Sequence, residues 1–284
     1  MPGKSAPGQK APTWRVVVLC DNVSQDPACG CEWGLSLAVD AGEHGLWLWD
    51  TGNTALFLKN AAVLGVDAPS ACGLALSHGH YDHTGGLSAL LEAGFKGAIH
   101  AHPACSRERW SADRGGAKRI GPPAPLPAFT PAGPVTCLAP GLTMLTDIPR
   151  APGRFQAVQG FSFDENGHEP DTVPDDAFLV MDTAQGPVVI LGCCHSGLAN
   201  SLHCAAERLG LQSIHAVLGG LHLYKAEAPA IEETARTLAH YGVARLVAGH
   251  CTGVDRVETL RGLLQGLLPK CRVEHLRAGQ TFSF

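Results

Sequence analysis

The stretch Ser77-His78-Gly79-His80-Tyr81-Asp82-His83-Thr84 places three histidines and a carboxylate within six residues. Imidazoles crowded on one loop repel each other when protonated and bury poorly without partners when neutral. A metal centre resolves both problems. His78 and His80, two apart, can face one ion while the adjacent Asp82 and His83 turn toward a second. Imidazole with carboxylate suits zinc, the first choice, and also manganese or iron. Two ions roughly 3.5–4 Å apart would share a water and lower its pKa toward about 7 for in-line attack.

Other candidate ligands fall where apolar runs stop: Cys193 to His195 after "VVILG", His222 after "AVLGGL", and His250 after "VARLVAG". Sheets in α/β proteins present ligand sites at the carboxyl ends of their strands, so these termini are expected to converge on one sheet edge. The positioning elements follow from the patterning. "ACGLALS" reads as the buried strand that delivers Ser77 and His78, and "GGLSALLEAGF" as a helix just past the loop. "EWGLSLAVDAGEHGLWLWDTG" suggests two strands joined around Gly42 to Gly45. "DDAFLVMDTAQGPVVILGCCH" reads as two strands around a turn at Gln185 and Gly186. "SGLANSLHCAAERLG" and "AIEETARTLAHYG" are helical, and "VARLVAGHCTG" is the last buried strand. From about 106 to 174 the chain turns Pro-rich and polar, which suggests a partly structured insertion whose "TCLAPGLTMLTDIPR" still pairs with the core.

The 284 residues, 45% hydrophobic and 17% charged, suit a compact globular chain. A net charge of -5 argues against a nucleic-acid partner. No apolar run approaches the roughly 20 residues that span a bilayer. Residues 1–13 are expected to be a disordered leader rather than a signal peptide, and 14–284 a single domain. The expected compartment is the cytoplasm, where the eleven cysteines stay reduced. Cys29-Gly30-Cys31 could bind metal, but no second pair follows at zinc-ribbon spacing. The sequence specifies no oligomeric state.

At "SHGHYDH" the chain resembles the metallo-β-lactamase superfamily, whose signature is His-x-His-x-Asp-His on the loop after a strand. Asp50-Thr51-Gly52, "VVILGCC" and Gly249-His250 extend the resemblance over most of the chain. The resemblance implies an α/β fold, the αβ/βα sandwich of two mixed β-sheets face to face with helices outside. It also implies that His78 and His80 hold one ion, and that Asp82, His83 and His250 hold the other. Two departures stand out. The usual third histidine of the first set has no clean counterpart, with His168 or Asp176 nearby. "LGCCH" replaces the usual bridging aspartate, which leaves Cys193 or His195 as candidates. "EWGLS", "DIPR", "LGCCHSG", "GGLHL" and "GHCTG" are similar to one branch, the metal-dependent hydrolases akin to the archaeal dihydropterin–ribofuranosylaminobenzene 5'-phosphate synthase.

Under that resemblance Glu32 and Ser36 start a strand near the metal edge, although Glu32 reads equally as a solvated charge and Ser36 as filler. Arg150 could clamp a phosphate or cover the insertion. Glycines before His222 permit close approach of a ligand. His44, His100, His203, His215 and His240 are read as structural. The expected activity is metal-dependent hydrolysis of a small ester, phosphoester or lactone, with Asp82 or His222 moving protons. The alternatives are a transferase acting on a phosphorylated, pterin-like substrate, and a non-catalytic metal or thiol sensor using Cys193, Cys194 and Cys251.

Overall fold

Consecutive buried apolar residues make up most of the strands, as sheets covered on both faces require. The computed structural model describes residues 14–113 and 116–284, so the expected leader, 1–13, lies outside the described residues. The chain begins with β1 (Arg15–Cys20), β2 (Ser36–Asp40), β3 (Leu46–Trp49), α1 (Leu56–Val63) and β4 (Gly73–Ala75). The short α2 (Tyr81–Thr84), α3 (Leu87–Glu92) and β5 (Ala98–Ala101) follow. Next come β6 (Trp110–Asp113), β7 (Gly116–Arg119), β8 (Thr130–Pro131), β9 (Val135–Ala139), β10 (Leu142–Leu145) and β11 (Phe161–Ser162). The second half runs through β12 (Phe178–Met181), β13 (Val188–Leu191), α4 (Leu198–Leu209), β14 (Ala216–Gly220) and α5 (Ala228–His240). It ends with β15 (Arg245–Gly249), α6 (Val254–Leu267), β16 (Arg272–His275) and β17 (Thr281–Ser283).

Two seven-stranded sheets result, ordered β17-β1-β2-β3-β4-β5-β8 and β16-β15-β14-β13-β12-β10-β9. Both are mixed. The run β3 to β8 in the first and β13 to β16 in the second are parallel, while the rest pair antiparallel. Between the sheets, Val16, Leu37, Val39, Trp47 and Trp49 meet Met144, Met181, Ile190, Leu218 and Val247. Burying each such side chain contributes roughly 1.5–3 kcal/mol. The Trp49 indole also donates to the Leu191 carbonyl at 3.1 Å, fastening β3 to β13. Outside, α1 and α3 cover the first sheet through Phe57, Ala61, Leu87 and Leu90. The helices α4, α5 and α6 cover the second through Leu202, Ile231, Leu238, Val257 and Leu260. This is the αβ/βα sandwich.

Three features refine the sequence reading. Within about 106–174, β8 joins the first sheet and β9 and β10 join the second, whereas β11, β6 and β7 form a separate small sheet. The strand ending at Gly249 is not the last. Both β16 and β17 follow it, each as the edge strand of its own sheet, β16 because α6 carries the chain back to run parallel beside β15. The histidine segment is not all loop either, since Tyr81–Thr84 turns as α2 before α3 begins.

Candidate metal centre

The parallel register of β3, β4 and β5 brings Asp50 beside the segment that leaves β4. The Asp50 carboxylate accepts from the Ser77 amide and hydroxyl, each at 2.7 Å, and from His83 Nδ1 at 2.7 Å. At Gly79 an added Cβ would stand 2.1 Å from the Cys105 carbonyl oxygen, so only glycine lets the loop press against the neighbouring chain. The Gly79 amide donates to Asp175 at 2.7 Å, and Asp175 accepts from Arg109 at 2.6 Å. The turn of α2 then brings Asp82 and His83 to His250, with the His83 ring still 4.2 Å from that of His78.

The ring nitrogens meet in pairs. His78 Nε2 lies 2.9 Å from His80 Nδ1, and His83 Nε2 lies 3.2 Å from His250 Nε2. Hydrogen-bond partners assign the protons. His83 Nδ1 donates to Asp50, and His250 Nδ1 to the Asn22 side-chain oxygen at 3.1 Å. The two Nε2 atoms therefore face each other, and once His250 gives up its Nε2 proton both can offer lone pairs to one cation. His195 Nδ1 donates to the Ala157 carbonyl at 2.6 Å, which leaves its Nε2 as an acceptor. Neither that atom nor His80 Nε2 has a hydrogen-bond partner among the described residues, although both are buried. Orphaned buried acceptors of this kind fit a metal ion.

Ligand atoms within 4.8 Å of one another form three groups: His78, Cys193 and His195; His83, Cys193 and His250; Cys193, His222 and Cys251. Cys193 belongs to all three, with its sulfur 3.1 Å from His83 Nε2. Asp82 joins the second group, its Oδ2 3.5 Å from His250 Nε2. Burial holds the His78, His80 and His195 imidazoles well below their ordinary pKa, in the neutral form a metal requires. Burial pushes His250 down as well, but the Asp82 hydrogen bond and the charges around it outweigh that and raise it to about 9. Burial pushes Asp82 up, yet His83 and His250 hold it well below the usual carboxylate range.

The backbone around these groups is strained. Asp50, Cys194, His222 and His250 all have φ between 48° and 60°, each costing roughly 1–3 kcal/mol outside glycine. His222 is half-buried, its ring centroid 4.4 Å from that of His195, and its Nδ1 has no partner among the described residues. Phe161 of the small sheet packs by its edge on His80 and His195, with centroids at 5.2 and 5.5 Å. Trp33 and Tyr224, 43% and 39% exposed, stand at the rim, with Trp33 5.3 Å from His250. Together they frame an aromatic mouth.

Not every sequence candidate reaches the centre. His168 is 84% exposed, beside Asp164. Asp176 is buried but accepts from the Ser196 amide at 2.7 Å, which braces the turn carrying His195. The strand end bearing Cys193 and His195 closes on the loop, so His195, rather than His168 or Asp176, stands beside His78 and His80, with ring centroids 4.8 and 4.9 Å away. Glu32 accepts from the Asn53 and Thr54 amides and the Thr54 hydroxyl, and so caps a loop. The Ser36 hydroxyl donates to the Asp50 carbonyl at 2.9 Å. Arg150 donates to the Thr172 and Val173 carbonyls and to Ser196, covering the segment instead of facing the site. Cys29 and Cys31 belong to no ligand group among the described residues. Cys194, a candidate thiol of the sensor reading, lies 3.6 Å from Ser201 within the helical layer. Sequence reasoning missed Asn22, Arg109, Asp175 and Phe161. None has a local signal, because each reaches the site from a distant part of the chain, as the separation of 66 positions between Arg109 and Asp175 illustrates.

Among the described residues no helix is long and apolar enough to cross a membrane. The model of the metallo-β-lactamase superfamily matches residues 34–203. A curated relative, the 7,8-dihydropterin-6-methyl-4-(β-D-ribofuranosyl)-aminobenzene-5'-phosphate synthase of Methanocaldococcus jannaschii, is 27% identical over 255 residues, covering 78% of this chain and 81% of that protein. The crystal structure of Tm1679, a metal-dependent hydrolase of the β-lactamase superfamily, matches at 29% identity with a TM-score of 0.80, covering 95% of this chain and 98% of that one. Zinc-bound PqqB from Methylobacterium extorquens shares the fold at 14% identity, with a TM-score of 0.56 over 95% of this chain and all of that one. Membership of this superfamily implies divalent metal binding, which the orphaned imidazoles fit. The chain belongs to the metallo-β-lactamase superfamily.

Proposed function

We propose that the protein is a metallohydrolase acting on a small ester, phosphoester or lactone. The observation that carries this reading is the close approach of the buried His83 and His250 Nε2 atoms, 3.2 Å apart beside Cys193. His78, His80 and His195 would hold one divalent ion and Asp82, His83 and His250 a second, with Cys193 between them; zinc suits this donor set best. When bound, the ions supply Lewis acidity, which makes water nucleophilic near neutral pH and stabilises negative charge developing on the substrate. Asp50 and Asn22 hold the His83 and His250 tautomers, so their lone pairs stay aimed inward. Asp82, kept ionised by its neighbours, can accept a proton, and His222 at the mouth can deliver one to the leaving group. Phe161 shields His80 and His195 from solvent, while Trp33 and Tyr224 offer faces for a flat substrate.

A transferase reading draws support from the same aromatic mouth and from the relative that is a dihydropterin-linked synthase. The first test is elemental analysis of chelator-free protein together with hydrolysis of bis(p-nitrophenyl) phosphate and of an aryl ester. Metal loss in His78→Ala/His250→Ala, with loss of hydrolysis, is the expected result. Metal-loaded protein that hydrolyses neither substrate yet condenses a dihydropterin with an arylamine would replace the hydrolase with the transferase. A chain that takes up no zinc, manganese or iron would overturn both.

A further inference from the structure

Cys251 and His222 are left over once the two imidazole-rich sets are drawn. Their ligand atoms and the Cys193 sulfur lie within 4.8 Å of one another. Two ligands on one zinc stand less than about 4.6 Å apart, since each bond is about 2.0–2.3 Å. The observed group is therefore close to a closed set. We propose that Cys193, Cys251 and His222 form a sulfur-rich site for a thiophilic divalent ion, adjoining the imidazole sets and sharing the Cys193 sulfur with them. This rests on the reading of Cys193 as part of the metal centre.

The fold builds the group from three strand ends. Gly220, at the end of β14, has no side chain, and a Cβ there would stand 2.6 Å from the Cys251 sulfur and 3.3 Å from Cys193 Cα. That gap is what lets the two cysteines approach. The Thr252 hydroxyl accepts from the Leu221 amide at 3.0 Å, and Asp21 accepts from the His250 amide at 2.9 Å. These bonds hold the turn after β15 in register with His222. Cys251 is fully buried, and its sulfur approaches the Cys193 carbonyl at 3.6 Å. The neighbouring Cys194 belongs to the helical layer, so only one member of the Cys193–Cys194 pair is available.

The chemistry of the set is soft. Two sulfurs and one imidazole with an open fourth position select zinc or cadmium over magnesium or calcium. On binding, the two thiols release their protons to solvent, and the resulting thiolates neutralise a dication in a buried place. An ion there draws on Cys193 and occupies His222, so it competes with the imidazole sets and withdraws a proton-transfer group. Excess thiophilic metal is then inhibitory.

The test is ultraviolet thiolate-to-cadmium absorption on adding one equivalent of cadmium to the full-length, metal-free protein. The expected band in the wild type falls by roughly half in Cys251→Ser, one sulfur ligand of two being lost. It disappears in Cys193→Ser/Cys251→Ser. His222→Ala keeps both sulfurs and serves if Cys251→Ser fails to fold; it should weaken cadmium binding by at least the roughly 10–100-fold that losing a supporting partner costs. A Cys251→Ser band equal to that of the wild type overturns the sulfur site. Zinc bound in the wild type with no cadmium–thiolate band overturns the sulfur site alone. A chain that holds neither zinc nor cadmium overturns the metallohydrolase reading as well.

Discussion

The two imidazole-rich sets are held by different parts of the molecule. His78 and His80 sit on a loop whose Gly79 amide is tied to Asp175 and, through it, to Arg109 beside the small sheet. His195 is oriented by the Ala157 carbonyl from the same intervening segment. The set of Asp82, His83 and His250 is braced instead from the main sheets, by Asp50 after β3 and by Asp21 and Asn22 after β1. One half of the centre depends on a peripheral segment, and the other on the sandwich itself. Cys193 and Asp50 are the links, since Asp50 also accepts from the Ser77 hydroxyl that contacts His78.

Removing the shared sulfur should erase the difference. Cys193→Ala is expected to lose metal from both sets and roughly 10³-fold or more in hydrolysis, read by elemental analysis and turnover; retention of both ions would mean the sulfur only fills space. Asp175→Ala strands the buried Arg109 without its 2.6 Å partner. It should cost about 3–5 kcal/mol in denaturant unfolding and loosen the His78 side first. A variant that unfolds like the wild type would sever the small sheet from the site.

The pH dependence of metal uptake separates the sets again. His250, raised to about 9, must give up a proton to an ion, so below that pH the affinity of its set rises about tenfold per unit. His78, His80 and His195, kept neutral by burial, release no proton of their own, so their set responds to pH only through the shared Cys193 thiol, which burial raises. Zinc titrations from pH 7 to 9 should therefore show the His250 phase steeper than the other; two parallel phases would contradict the assignment.

Asn22→Ala should weaken only the His250 set, by about 10–100-fold, because the tautomer loses its anchor. Equal weakening of both sets would show the anchors to be shared. Phe161→Ala, the mildest change, should raise the KM for a flat aryl substrate by about 2–10-fold with little change in kcat, the size of one aromatic contact. An unchanged KM would place the substrate elsewhere.

Much of the site was legible because its signal is local. Three imidazoles and a carboxylate in six residues need no fold to be recognised, and strand ends marked by His or Cys point to one sheet edge. The third ligand beside His78 and His80 was not legible. The sequence offered His168 or Asp176 there and kept His195 for the bridging position, and the outcome turns on which backbone closes over the loop. His168 ended 84% exposed on the intervening segment. Arg109 and Asp175 were invisible for the same reason, since a buried ion pair leaves no periodic trace in the chain.

By itself the sequence determined the candidate ligand types and their presence at strand ends, because hydrophobic patterning and strand termini are encoded within short windows, while the two-sheet sandwich was implied by the family resemblance. Only the tertiary structure decided that Cys193, 110 positions from His83, stands at the meeting point of three ligand groups. The reason is physical. Such contacts arise from sheet order and register, and residues that close loops of this length share no local pattern that could announce the pairing.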